Sequence, residues 1–349
     1  MNFKKCISML LVVIMIFGTL SVSAYCIGSG YANIIEQFYF AERSFSDGIG
    51  PELNGYTIDY LYFSPVECND KKYPLVIWIP GLGCNAKPGD QLGSNDIEAW
   101  VTPELQQRFT GANGAHLFVP RSPKNIGWDK TLIYPLKAAI DDFVAKNKNN
   151  IDLSRIYIGG FSQGGWMALK IAEIHPEMFA ALFPSVPAYR INNELAEKIA
   201  DIPVWLTCCK KDPFVNYYTT VNPTWKKIIA KTNIPEKCRF SILSKAYLPD
   251  GETFYNNHMA WFAVNYDMFS SEDSDYPCMS TIDGNGNTIT LTYPNGIISW
   301  LSSFKSDYDG SPATDGGNDQ AYTGFAMNVF GFFIACFKNF TSYLKLLFI

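Results

Sequence analysis

The sequence predicts an α/β fold in which helices cover both faces of a mostly parallel central sheet. Continuous apolar runs at 73–79, 116–119 and 155–158 are typical of strands that are buried on both faces. Segments with the apolar spacing of helices, 136–146 and 166–174, alternate with these runs. Such alternation is typical of a parallel sheet, and because no internal repeat is present we expect one domain between the chain ends.

The other elements follow from the same patterns. Alternating apolar residues over 56–63 predict a strand with one buried face, and the apolar run 202–207 predicts another. Cys208 and Cys209 follow that run and are interpreted as small strand residues rather than a redox pair. A last helix is expected over 297–304.

Composition excludes several classes of protein. The chain has 349 residues, a net charge of −5, 48% hydrophobic residues and 17% charged residues. This composition supports a large core and excludes intrinsic disorder as the main state. The weakly acidic balance, without a basic stripe, argues against a nucleic-acid partner. Three histidines and the absence of a C-x-x-C motif argue against a zinc site, so we expect neither metal nor cofactor.

The first 24 residues are typical of a secretory signal. Lys4 and Lys5 precede the apolar run Ile7–Phe17, and Val22-Ser23-Ala24 resembles a cleavage site. The alternative is a membrane anchor, but the run is short against the ~20 residues that a spanning helix needs. We therefore predict an exported protein, secreted or held at the cell surface.

The C-terminal end has a different composition. Residues 308–320 are acidic and rich in glycine, as linkers are, and residues 321–349 are largely apolar. This tail is expected either to associate with a membrane or to pack on the domain as a terminal helix, and the sequence favours neither. The folded domain is accordingly placed at 25–307.

A G-x-S-x-G motif, Gly160-Phe161-Ser162-Gln163-Gly164, lies where a buried strand ends and a helix begins. This setting is the one that a strained strand-to-helix turn carrying a nucleophile requires. Glycines at both ends leave room where a Cβ would clash. We predict that Ser162 is a nucleophile. The alternative is a structural role, in which the serine only caps the amino end of the helix.

A serine nucleophile needs a base, and the chain offers three histidines. His116 lies within a strand run, and His175 ends the helix after the motif, where we interpret it as a cation near the helix dipole. His258 lies downstream of Ser162 and is the predicted base by elimination and by order. Its bland alternative is a surface histidine.

An acid must orient the imidazole. Asp212 follows the strand run 202–207 and is expected at its carboxyl end, whereas Asp201 precedes the run and would lie at the wrong end of the sheet. Asp250 and Glu252 lie on the approach to His258 and stay possible.

Stabilising an oxyanion requires two backbone N–H donors that are already in place. The amide of Gln163, directly after the nucleophile, is one candidate. The other is expected in the turn Gly81-Leu82-Gly83; we favour Leu82, although the choice between Leu82 and Gly83 stays open.

These segments together resemble the α/β-hydrolase superfamily, over roughly 56–304. The resemblance rests on 73–83, 151–165, 211–215 and 258–261. It is greatest to secreted esterases of the polyhydroxybutyrate-depolymerase and feruloyl-esterase type and to the prolyl-oligopeptidase catalytic domain. The order Ser162, Asp212, His258 is also that of the superfamily. Two features depart from it: Pro80-Gly81 stands where a His-Gly pair is usual, and 268–296 looks inserted.

The resemblance implies a serine hydrolase that cleaves carboxylic esters through an acyl-enzyme, with an ester substrate that is polymeric or carbohydrate-linked. The alternatives are a serine peptidase and a catalytically silent binding module. Within the inserted segment, Asp283–Asn287 favours a hairpin turn over a calcium loop, because Pro294 occupies the position of the last calcium ligand. We expect that hairpin to border the substrate cleft. Trp128, Trp166 and Trp261 are candidates for lining the cleft, with the core as the alternative.

Overall fold

The computed structural model describes residues 45–65, 71–83, 97–123, 127–247, 256–267, 279–290 and 296–311. The predicted signal and the predicted apolar tail lie outside these ranges, as do Asp250 and Glu252. Within the described ranges no helix has the length and apolar character needed to cross a membrane.

Ten described strands form one sheet. In chain order they are β1 (Ser46–Ile49), β2 (Asp59–Phe63), β3 (Tyr73–Ile79), β4 (His116–Arg121), β5 (Ile151–Phe161), β6 (Ala181–Ser185), β7 (Trp205–Cys209), β8 (Arg239–Leu243), β9 (Met279–Asp283) and β10 (Thr288–Ile289). Their order in the sheet is β1-β2-β4-β3-β5-β6-β7-β8-β9-β10.

The six central strands, from β4 through β3 to β8, are all parallel to their neighbours. Antiparallel strands flank them, with β2 and β1 at one edge and β9 and β10 at the other. The predicted α/β fold with a mostly parallel sheet is therefore confirmed. The carboxyl ends of the central strands lie along one edge of the sheet, where the chain turns from strand to loop or helix.

Seven described α-helices accompany the sheet. They are α1 (Pro103–Gln107), α2 (Ile133–Asn147), α3 (Gln163–Ile174), α4 (Asn193–Lys198), α5 (Asn222–Lys231), α6 (Trp261–Asn265) and α7 (Ile297–Ser302). The helix predicted over 136–146 is extended by one turn at its amino end. His258 lies in the turn directly before α6.

The strand alternation predicted over 56–63 begins only at Asp59, because 56–58 lie in the turn and extended segment before β2. Tyr60 and Tyr62 share a face, as predicted, and each ring lies 5.6 Å from the ring of Phe143. Phe143 belongs to the apolar face of α2, so this contact packs the helix onto the sheet.

The hairpin of β9 and β10 forms as predicted, and Asp283 closes its turn by accepting the amides of Asn285 (2.9 Å) and Asn287 (2.8 Å). The expectation that this hairpin borders the substrate cleft is wrong for its turn. Asp283 pairs with Arg239, the first residue of β8, so the turn lies at the amino ends of the parallel strands, opposite the edge where Ser162 lies. Within the inserted segment, β9 and β10 lengthen the sheet.

The predicted linker begins at Tyr308, yet this residue packs on the domain. Its ring meets the imidazole of His175 edge-on, with 5.5 Å between the ring centroids. The described part of the domain thus reaches this residue, and 312–320 lie outside the described ranges.

Candidate active site

Ser162 occupies the sharp turn that the motif predicts. It follows the last residue of β5 and directly precedes α3, with φ 55° and ψ −121°. A positive φ is strained for a serine and persists only where neighbours hold it. Here the Ser162 amide donates to the Ser185 carbonyl (3.0 Å), and the Ser162 carbonyl accepts from the Ala188 amide (2.8 Å). The turn is therefore tied to β6 and the loop after it.

The motif's two glycines allow β3 and α3 to approach closely. A Cβ on Gly160 would lie 2.4 Å from the Ile79 carbonyl oxygen, and one on Gly164 would lie 1.9 Å from the same oxygen. Real Cβ atoms do not approach oxygen this closely, so each position requires glycine. The predicted steric reason for the motif is confirmed.

Asp212 and His258 form a hydrogen-bonded pair. Asp212 lies three residues beyond the end of β7, and its Oδ2 is 2.7 Å from Nδ1 of His258. Because a carboxylate only accepts, Nδ1 carries the proton and Nε2 is the nitrogen with a lone pair. Spacing had left the acid open, and the geometry pairs Asp212 with His258.

Backbone amides hold the Asp212 carboxylate in this orientation. Its Oδ1 accepts from the amides of Phe214 (2.8 Å) and Val215 (2.9 Å), and its side chain is only 1% exposed. Lys210 and Lys211 precede Asp212 in sequence, yet the partner of this carboxylate is the imidazole, and Asp212 is not a surface ion-pair residue.

The loop carrying His258 is fastened to the loop carrying Asp212. The side chain of Asn257 donates to the Lys211 carbonyl (3.1 Å) and accepts from the Ala246 amide (3.3 Å). The His258 amide donates to Oδ1 of Asn256 (2.8 Å). These bonds fix the backbone on both sides of the pair.

Ring contacts connect His258 to the serine turn. The indole of Trp261 stacks on the ring of Phe161 with 3.8 Å between centroids, and it meets the imidazole of His258 edge-on at 5.4 Å. Since Phe161 directly precedes Ser162, one buried indole separates the imidazole from the residue next to the serine. The structure thus brings all three predicted residues to the carboxyl edge of the sheet.

The two predicted oxyanion donors also lie at this edge. Gln163 is the first residue of α3, where backbone amides have no acceptor within the helix. Leu82 lies in the turn that follows β3. A Cβ on Gly127 would lie 2.1 Å from Gln163 Oε1 and 3.2 Å from Leu82 Cδ1, so the side chains of both residues reach the backbone of Gly127. Gly83 has φ +93°, and the choice between Leu82 and Gly83 as donor stays a prediction.

Trp128 holds the turn after β3 in place through hydrogen bonds. Its indole donates to the Pro80 carbonyl (2.8 Å), and its own amide donates to Gln163 Oε1 (3.0 Å). Trp128, Trp166 and Trp261 are all buried, so they belong to the core and do not line an open cleft. The interpretation of Trp128 and Trp261 as cleft residues is corrected to one of internal support.

The other two histidines are structural. The ring nitrogens of His116 lie 3.1 Å from Ser64 Oγ and 3.1 Å from the Asn150 carbonyl, and burial lowers its pKa. His175 does end the helix after the motif, but its interpretation as a cation is wrong. It is only 2% exposed, and burial lowers its pKa even though carboxylates of Asp141 and Glu177 lie 3.7 Å and 3.4 Å from its ring nitrogens, so its surroundings favour the neutral form.

Sequence reasoning missed one exposed aromatic residue at this site. The ring of Phe214 lies 5.2 Å from the imidazole of His258, although 45% of Phe214 is exposed to solvent. The sequence feature that could have indicated Phe214 is the presence of an aromatic residue two positions after the candidate acid, Asp212. In the described part of the chain no group of acidic, histidine and cysteine side chains is arranged to hold a metal ion.

Comparisons with known proteins bear on this arrangement. The phospholipase/carboxylesterase family model matches residues 121–246, a segment that includes Ser162 and Asp212 but not His258. None of the curated proteins matches the sequence.

Among solved structures, one titled as a thermostable esterase is similar, with 23% identity and a TM-score of 0.55. The match covers 75% of this chain and 64% of that chain, so this protein spans slightly less than two thirds of it. A putative carboxylesterase and a lipase/esterase from Lactobacillus plantarum each match 54% of this chain at 16% identity and a TM-score of 0.40, covering 84% and 85% of their own chains. The last two scores are too low to support an argument.

The likeness to the thermostable esterase concerns the fold, and the family match concerns its central segment. Both agree with the parallel sheet and with the strand–turn–helix around Ser162. The chain has the α/β-hydrolase fold, and its central segment, residues 121–246, is similar to the phospholipase/carboxylesterase family.

Proposed function

We propose that this protein is a serine esterase that hydrolyses carboxylic esters through an acyl-enzyme. The observation that carries the proposal is the 2.7 Å hydrogen bond between Asp212 and His258, at the edge of the sheet where Ser162 lies in its strained turn. A histidine that a buried carboxylate orients, at the same edge of the sheet as a serine in a strained turn, is the arrangement expected to activate a hydroxyl.

In the proposed acylation step, Ser162 Oγ attacks the ester carbonyl while His258 Nε2 takes the hydroxyl proton. The Asp212 carboxylate stabilises the imidazolium that forms. The amides of Gln163 and Leu82 hold the tetrahedral oxyanion in this proposal, a role that requires donors in place before charge develops. Collapse of this intermediate breaks the bond between the former carbonyl carbon and the alcohol oxygen. The proton on Nε2 passes to that oxygen as the alcohol departs.

In the deacylation step, water replaces the alcohol. His258 Nε2 takes a proton from the water, which attacks the acyl-serine carbonyl, and a second tetrahedral intermediate forms on the same two amides. Its collapse returns the proton to Ser162 Oγ and releases the carboxylic acid. Both steps use the one pair of Asp212 and His258.

The family match supports ester chemistry, since that family is described as phospholipase and carboxylesterase. The narrower proposal, a polymeric or carbohydrate-linked ester, rests on the sequence resemblance to polyhydroxybutyrate depolymerases and feruloyl esterases. A serine peptidase uses the same groups, so the choice between ester and peptide substrates is left to the experiment.

Labelling with a fluorophosphonate probe tests the proposal. We expect the full chain to be labelled on the peptide that contains Ser162, with labelling lost in Ser162→Ala and kept in Ser303→Ala, a control at an exposed serine. Hydrolysis of aryl, acetyl-sugar and polyester substrates but not of blocked peptides supports the esterase. Cleavage of the peptides instead supports the peptidase, and a wild type that is neither labelled nor active supports the binding module and contradicts the proposal.

We further propose that the protein is exported and that its tail associates with a membrane. The features that support this are the signal-like residues 1–24 and the apolar residues 321–349. Fractionation of expressing cells with N-terminal sequencing tests export, and a mature chain beginning at Tyr25 outside the cytoplasm is the expected result. Comparison of membrane extraction with and without residues 321–349 tests the tail, and equal extraction contradicts its role.

A further inference from the structure

Phe214 is held in place by the same carboxylate that orients His258. Oδ1 of Asp212 accepts the Phe214 amide at 2.8 Å, while Oδ2 binds His258 at 2.7 Å. The two residues are therefore positioned relative to each other by one buried group. The hydrogen bond fixes the backbone of Phe214 relative to the imidazole, and from that backbone the Phe214 ring contacts the imidazole.

The imidazole of His258 has one buried and one exposed aromatic neighbour. Trp261 lies 5.4 Å away, is buried and leads inward to Phe161 and the serine turn. Phe214 lies 5.2 Å away at an interplanar angle of 69°, and 45% of it faces solvent. Phe214 thus borders the space outside the imidazole, away from the core.

A single exposed aromatic residue is ordinary on a protein surface, so exposure alone carries no argument. The contact with His258 is what connects the Phe214 ring to the reaction, because the imidazole must protonate the alcohol oxygen as the ester bond breaks. At that moment the alcohol part of the ester lies beside the imidazole, while the acyl part lies over Ser162 and the two amides.

We propose that Phe214 is a specificity-determining residue that binds the alcohol part of the ester, and that alcohols with an aromatic ring are preferred. An aromatic ring gains from an edge-on or offset contact with a second ring, which an open alkyl alcohol lacks. This inference rests on the proposed esterase function and adds to it the side of the ester on which selectivity arises.

Two isomeric esters separate the alcohol side from the acyl side. Benzyl acetate carries its ring on the alcohol, and methyl phenylacetate carries it on the acyl group; neither has an activated leaving group. In Phe214→Ala the ring is removed but the backbone amide that donates to Asp212 is kept. We expect kcat/KM for benzyl acetate to fall about 3- to 10-fold and kcat/KM for methyl phenylacetate to change less than about twofold.

Three further measurements make the test specific. Phe214→Tyr keeps a ring and is expected to retain the wild-type preference. Tyr218→Ala is the matched control, because Tyr218 is 65% exposed in the helical turn that follows the Phe214 loop, but its ring partner is Tyr217. The acetyl-enzyme that benzyl acetate forms is expected to be hydrolysed at the same rate in Phe214→Ala as in the wild type, since the alcohol has already left.

Equal losses on the two isomers overturn the proposal, because they indicate that the ring acts only by positioning His258. A greater loss on methyl phenylacetate overturns it in favour of an acyl-side contact, and unchanged kinetics overturn it outright. If the wild type hydrolyses no ester and is not labelled by fluorophosphonate, both this inference and the proposed function fail. A labelled, active wild type with equal losses overturns the inference alone.

Discussion

Replacement of Gly164 by alanine is expected to destabilise the protein, although the substitution lies in a helix. The added Cβ would lie 1.9 Å from the Ile79 carbonyl oxygen and 2.4 Å from that of Pro80. Favourable contacts are at about 3.5 Å, so the overlap with the Ile79 oxygen is about 1.6 Å. Both neighbours are backbone atoms at the end of β3, and no flexible side chain can absorb the shift.

Two opposed effects set the expected change in the free energy of unfolding of Gly164→Ala. Overpacking of a core costs about 1–3 kcal/mol, and a backbone overlap of this size places Gly164→Ala at the upper limit. The greater helix propensity of alanine returns about 1 kcal/mol. We therefore expect the free energy of unfolding to fall by about 2 kcal/mol or more. Ester hydrolysis is expected to fall as well, because Leu82 lies two residues after the displaced Pro80.

Urea unfolding at constant pH measures the first effect, and initial rates with a soluble ester measure the second. Gly165→Ala is the graded control: its Cβ would lie 2.8 Å from the Ser185 carbonyl oxygen, so its loss of stability is expected to be smaller. If Gly164→Ala is as stable as the wild type or more stable, helix propensity outweighs the overlap and the steric account of the serine turn is refuted.

Three further predictions concern the site and its support. Asp212→Asn is expected to lower kcat by about 10³-fold or more with little loss of stability, because the amide favours the wrong tautomer of His258; a loss under tenfold in ester hydrolysis would contradict this. Trp128→Phe leaves the Pro80 carbonyl without its 2.8 Å indole donor, and we expect the free energy of unfolding measured in urea to fall by about 1–3 kcal/mol. An unchanged midpoint of urea unfolding would show that this hydrogen bond is dispensable. Burial lowers the pKa of His175, so the unfolded chain binds more protons below about pH 6.5 and stability falls as the pH decreases. His175→Gln is expected to reduce that slope by at most about 1.4 kcal/mol per pH unit, and identical slopes for variant and wild type between pH 7.5 and 5.5 would refute the assignment.

The carbonyl oxygens that exclude a Cβ at Gly160 and Gly164 lie at the end of β3, and only the tertiary structure shows them there. The serine turn was nevertheless predictable from the sequence because its pattern is local: a buried strand, the glycines around Ser162 and a helix follow one another in one segment. The same holds for β3, whose seven residues are all buried and whose bounds match the apolar run at 73–79.

The charge state of His175 and the position of the hairpin at 279–289 were not predictable in this way. A helix-terminal histidine is charged or neutral according to what packs over it, and here Tyr308, from a distant part of the chain, covers the ring. The hairpin pattern predicts a turn but not the end of the sheet at which that turn lies. That end depends on the strand with which β9 pairs.

The sequence by itself thus determined the α/β fold, the place of the serine turn and the order of the three candidate residues, because each follows from hydrophobic periodicity or from the linear order of residues. Only the tertiary structure decided which carboxylate faces His258 and which aromatic ring borders it. Asp212 and His258 are 46 residues apart, and their contact exists because β7 and β8 pair in parallel and bring the loops after them to one edge of the sheet. The Phe214 ring reaches the imidazole for the same reason, since its amide is bound by the Asp212 carboxylate that the sheet has placed there.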